Sequence, residues 1–64
     1  MPAPTSSRKR VLDQLIALFR RAGYDGVSIS RISEATGLGR PSLYHYFPGG
    51  KDEMAHAVLA AASN

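Results

Sequence analysis

Glycine and proline cut this chain into four short segments. The breaks fall at Gly23-Tyr24-Asp25-Gly26, Gly37-Leu38-Gly39 and Pro48-Gly49-Gly50. Between them apolar residues recur at three- and four-residue intervals, the period of a helix with one buried face, and no alternating strand pattern or repeat occurs. With glycine turns this frequent, the segments have to pack against one another as a small helical bundle. The expected fold class is all-α.

Met1 to Thr5 carries two prolines and no period, and residues 1–7 read as a disordered arm before a domain over residues 8–64. Ser6 or Ser7 is a candidate N-cap for helix 1, which runs to about Ala22. Its apolar stripe is Val11, Leu12, Leu15, Ile16, Leu18, Phe19 and Ala22, and Gly23 ends it. Ser28 can cap helix 2. In that helix Ile29, Ile32 and Ala35 share a face, with Ser30, Arg31 and Glu34 pointing out. Gly37 supplies the positive φ of a sharp exit, and Leu38 can tuck into the core. Pro41 falls in the first turn of helix 3, where its missing N–H costs nothing. Leu43 and Phe47 lie one turn apart and should face inward. Helix 4 begins near Lys51 or Asp52, with Asp52 and Glu53 suited to the positive end of its dipole. Met54, Ala55, Val58, Leu59 and Ala62 give it an apolar face.

At 64 residues the chain makes one small domain, which buries only about 60% of its unfolded surface. It has no cysteine to form a disulfide or thiolate metal site, and its two histidines, His45 and His56, do not have zinc-site spacing. Neither a metal nor another cofactor is expected. No apolar run reaches the roughly 20 residues of a membrane span, and Met1–Ser7 lacks the apolar core of a signal peptide. A cytoplasmic protein with no membrane partner is the expectation. No Gly-rich loop follows a strand and no nucleophile–base arrangement stands out, so the chain does not read as an enzyme.

Charge is unevenly spread. All eight Lys and Arg lie at or before Lys51, where only three acids oppose them, leaving +5. The last thirteen residues carry Asp52 and Glu53 and no cation. This fits a domain with one side toward a polyanion, as it fits an ordinary solvated surface.

Ser28 to Phe47 is the informative stretch. A short helix, a glycine turn and a second helix bearing polar and aromatic groups make a helix-turn-helix, whose second helix can enter the DNA major groove. Arg40 opens helix 3, where a cation works against the dipole and where a recognition helix meets base edges. It could pair with guanine O6 and N7 or simply be solvated. The Pro41 ring could touch a thymine methyl besides starting the helix, and Ser42 could donate to phosphate or serve only at the helix start. Tyr44, His45 and Tyr46 fan across about 200° of helix surface, so they cannot all be core. Their polar tips are phosphate donors, with a core role as the alternative. Lys51 could join the free N–H groups of helix 4 at a phosphate, or be a solvated charge. Ser28 and Ser30 could reach phosphate or a base edge, although capping alone explains Ser28. Arg8, Lys9 and Arg10 could form a basic arm for the minor groove, or a solvated run.

Ser28 to Lys51 resembles the DNA-reading segment of the tetracycline-repressor (TetR) family of bacterial transcription regulators. The resemblance rests on Ile32, Ala35, Gly37, Leu38, Leu43, Tyr44, Tyr46, Phe47, Pro48 and Lys51, most specifically on Leu-Tyr-His-Tyr-Phe-Pro followed by Gly-Gly-Lys. It extends over roughly residues 8 to 60. It implies a homeodomain-like three-helix bundle with helix 4 starting a connector. It implies phosphate contacts at Tyr44 and Tyr46, and His45 near bases or backbone. It also implies double-stranded DNA with a palindromic operator as partner, and a homodimeric full-length protein. The resemblance further implies a repressor released by a small ligand, which would bind in a C-terminal domain absent from this sequence. Gly39 stands where the family more often has a Ser or similar cap. The competing readings are a helical protein-interaction module that does not bind DNA, and a surface-active basic helix formed by helix 1.

Overall fold

The computed structural model describes residues 7–63. Four helices follow in order: α1 Ser7–Ala22, α2 Ile29–Thr36, α3 Arg40–Tyr46 and α4 Lys51–Ala62. The expected arm at residues 1–6 and a cap at Ser6 lie outside the described residues. Ser7, assigned to the arm from sequence, is the first residue of α1. Arg8, Lys9 and Arg10 are helical too, so they form no flexible arm; Lys9 pairs instead with Asp13 one turn on, at 3.5 Å.

Every helix contributes to one core. Val11 and Leu15 come from α1, Ile32 from α2, Leu43 from α3, and Met54 and Val58 from α4, joined by Val27 and Phe47 from the connections. No polar or charged side chain is buried among the described residues. Helix α1 packs on α2 and α4, and α2 on α3. At about 1.5–3 kcal/mol for each fully buried aliphatic or aromatic side chain, this single cluster is the main source of stability.

The caps explain the boundaries. Ser28 Oγ accepts from the Arg31 N–H at 3.1 Å, satisfying one of the free donors that begin α2. Gly37 closes α2 at φ 77°, in the left-handed region, with its N–H donating to Ser33 O at 2.8 Å. The turn to α3 is then held by side chains. Ser33 Oγ donates to Leu38 O at 2.6 Å, and Thr36 Oγ1 accepts from the Leu38 N–H at 3.2 Å. Leu38, half-buried, packs against the core from that turn.

Four apolar positions depart from the periodic reading. Val27, in a turn by sequence, is buried: it precedes the N-cap and shares the core with Ile32 at the fourth helical position, the arrangement of a hydrophobic staple. Ala35, expected beside Ile32, is exposed, while its carbonyl accepts from Gln14 Nε2 of α1 at 3.4 Å. Leu59 and Ala62 are exposed, while Met54 and Val58 of the same helix are buried.

Candidate nucleic-acid interface

Helix α3 is held by two anchors. Leu43 and Phe47, one turn apart, are both fully buried, which fixes its rotation about its own axis. The remaining positions must then turn outward. Arg40, Pro41, Ser42, Tyr44 and His45 are all exposed. Tyr46 is half-buried against the core, with its ring edge-on to His45 at 5.3 Å, so it divides between core and surface. Gly39 caps α3 without a side-chain bond.

Ser28 and Ser30 are exposed at the start of α2. The Ser28 oxygen is engaged in the cap, which leaves its hydroxyl proton free to donate elsewhere.

The α3–α4 connection brings Tyr44 and Lys51 to one edge. Gly50 is buried, with φ 73° and ψ −146°, backbone angles open in practice only to glycine. A β-carbon there would sit 3.2 Å from Tyr44 Cε1. The Tyr44 ring thus lies against the residue preceding α4, with its hydroxyl near the start of that helix. Glu53 Oε1 accepts from the Gly49 N–H, securing the same turn.

Three contacts join residues too far apart in the chain for any local pattern to pair. The Arg8 guanidinium lies over the Phe47 ring, 4.6 Å from its centroid, so the first cation of α1 covers the inner anchor of α3. Tyr24 receives the Lys51 ammonium on its ring at 4.0 Å and donates its hydroxyl to the Asp52 carboxylate. The Asp52 hydrogen bond, with some desolvation and the nearby charges of Asp52 and Asp25, raises the Tyr24 pKa above its ordinary value. Lys51 and Tyr24 are 27 positions apart, beyond the reach of any helical period. The available signal was a tyrosine between two turn glycines, an unusual place for a large ring.

The outward face carries a guanidinium, hydroxyls, phenols, an imidazole and an ammonium. Such groups hydrogen-bond to phosphate oxygens and base edges. They form no metal cluster: no group of three or more His, Cys, Asp or Glu that could hold an ion occurs among the described residues. No described helix is long and apolar enough to cross a membrane.

The model of the family described as bacterial regulatory proteins, tetR family, matches residues 11–58. The chain belongs to that family. Its members with similar sequences include the HTH-type transcriptional regulator LmrA of Bacillus subtilis, 39% identical over 49 residues, which are 77% of this chain and 26% of the relative. The HTH-type transcriptional repressor AcnR of Corynebacterium glutamicum is 37% identical over 55 residues, 86% of this chain and 29% of AcnR. The HTH-type transcriptional repressor KstR of Rhodococcus jostii is 37% identical over 59 residues, 92% of this chain and 26% of KstR. The chain therefore spans between a quarter and a third of the length of these relatives. No solved structure matches it significantly.

Proposed function

We propose that this tetR-family domain binds double-stranded DNA as the reading part of a transcriptional regulator, with α3 in the major groove. The observation that carries the reading is the outward set Arg40, Pro41, Ser42, Tyr44 and His45, on a helix whose rotation is fixed by Leu43 and Phe47. Arg40, at the start of the helix, is the base reader, able to make two parallel bonds to guanine. Pro41 touches a thymine methyl. Ser42, Tyr44, His45 and Tyr46 position the helix through the backbone, and Lys51 takes a phosphate beside Tyr44. Ser28 and Ser30 reach the strand that α2 crosses.

Names of the relatives add the regulatory context, repression in AcnR and KstR. By that likeness this domain serves a cytoplasmic repressor. Dimerisation on a palindromic operator, and release by a small ligand, would belong to a further domain of the kind the family carries. A single helix-turn-helix unit makes few contacts, whereas dimers engage two half-sites about 34–36 Å apart. The 64-residue chain should bind DNA near the non-specific range of roughly 10⁻⁴–10⁻⁶ M at physiological salt. Fusing a two-fold dimeriser after Asn64 should produce tight binding to a palindrome through effective concentration. Nanomolar binding of the bare chain to one half-site would refute the need for a second unit.

A helical protein-interaction module remains the second reading, favoured by one feature. Phe19, Tyr24, Ala55, Val58, Leu59 and Ala62, with Arg20 beside them, line an open, mainly apolar groove of about 340 Å³ between α1 and α4. Salt separates the two readings: phosphate binding weakens steeply with added salt and apolar packing does not.

A further inference from the structure

Lys51 opens a helix whose next two residues are acids, Asp52 and Glu53. A lysine so placed could be neutralised locally, yet the one ion pair among the described residues is Lys9–Asp13. Both carboxylates are otherwise engaged. Glu53 accepts from the Gly49 N–H, and Asp52 accepts from the Tyr24 hydroxyl. The ammonium instead rests on the face of the same Tyr24, 4.0 Å from the ring centroid. Tyr24 is itself braced by Phe19 of α1, at 6.3 Å between ring centroids. A cation on an aromatic face keeps the N–H groups that point away from the ring, and an ammonium has three.

We infer that Tyr24 is a positioning residue for Lys51: its ring holds the ammonium at the start of α4 while its hydroxyl occupies the adjacent Asp52 carboxylate, so that Lys51 meets a DNA phosphate already placed and free of an ion pair. The inference rests on Lys51 being a phosphate contact, as proposed above. It adds a residue of the α1–α2 turn to a binding edge otherwise built from α3 and α4. Tyr24 need not touch DNA. It acts by limiting where the lysine's four-carbon stem can carry its charge, and by removing the competitor next door.

The test uses the 64-residue chain and a random-sequence duplex, with affinity followed by fluorescence anisotropy across a salt series. Lys51→Ala should lower the salt slope by about 0.9, the loss of one phosphate contact. Tyr24→Leu should lower it by most of that amount, and Tyr24→Phe, which keeps the ring, should stay closer to the parent. In a Lys51→Ala background Tyr24→Leu should change nothing further. By NMR, the Lys51 ε-methylene protons should lie upfield of those of Lys9, from the ring current, and lose that shift in Tyr24→Leu. The inference is overturned if Tyr24→Leu leaves the slope unchanged while Lys51→Ala lowers it. It is overturned as well if Tyr24→Leu weakens binding equally with and without Lys51, which would mark a purely structural role. Should Tyr24→Leu fail to fold, the ring-current shift in the parent chain decides, and its absence overturns the inference. Absence of salt-dependent binding in the parent would reject the DNA reading itself. An unchanged slope in Lys51→Ala alone would reject Lys51 as a contact, and this inference with it, while leaving Arg40 and α3 untouched.

Discussion

Replacing Gly50 by alanine tests how the α3–α4 edge is built. At φ 73° and ψ −146° an L-residue is strained, at a cost on the order of 1–3 kcal/mol. The new β-carbon would also press on Tyr44 Cε1 at 3.2 Å, so the ring must yield. A 64-residue domain has roughly 3–10 kcal/mol of total stability, and Gly50→Ala removes a substantial fraction of it. At about 4–8 °C per kcal/mol for a domain this small, the melting temperature should fall by about 4–24 °C. Thermal unfolding by circular dichroism measures this directly. A chemically synthesised chain with D-alanine at position 50 separates the two causes. The mirror of the Gly50 backbone angles is ordinary extended backbone, so D-alanine removes the strain, and its β-carbon leaves on the other side from the one facing Tyr44. That variant should melt well above the L-alanine one. An L-alanine variant as stable as the parent, or a D-alanine variant no better than the L, would refute the account of this turn.

Gly39→Ser should act in the opposite direction. The Gly39 backbone, at φ −78°, suits any residue, and a serine could supply the side-chain cap that α3 lacks. A gain from a few tenths to about 1 kcal/mol is expected in denaturant unfolding, from the cap and the less flexible unfolded chain. Arg40→Ala should cost about 1–3 kcal/mol on a cognate site and relax preference at one base pair, with unchanged melting since Arg40 is exposed. Equal loss on random DNA would make Arg40 a phosphate clamp instead. The exposed Tyr24–Asp52 bond adds a small pH dependence on the alkaline side. Its folded-state pKa is raised above the ordinary 10.0, so its contribution is complete below pH 10 and is lost as pH rises through the folded value. Melting followed from pH 8 to 11.5 should show a decline that Tyr24→Phe largely abolishes, and an identical decline in both would exclude Tyr24 as its source.

Much of this protein was local enough to be legible in its sequence. Helix boundaries follow from Ser28, Gly37, Pro41 and the Pro48–Gly50 turn, because caps and φ preferences are properties of a few adjacent residues. The 3.6-residue period placed Leu43 and Phe47 inward and Arg40, Tyr44 and His45 outward, as found. The family, too, was evident from the residues around Leu43–Lys51, and the match over residues 11–58 bears it out. Tertiary structure alone decided which surfaces meet. Periodicity says that a helix has an apolar face but not how much of it a neighbour covers, so Ala35, Leu59 and Ala62 looked internal and are exposed. It is equally silent on side chains that converge from distant segments. Arg8 lies over Phe47, and Tyr24 of the turn after α1 binds Lys51 and Asp52, only because α1 packs across the bundle onto α4. Local geometry is fixed by neighbours in the chain, whereas the placement of a charge is fixed by whatever the fold brings beside it.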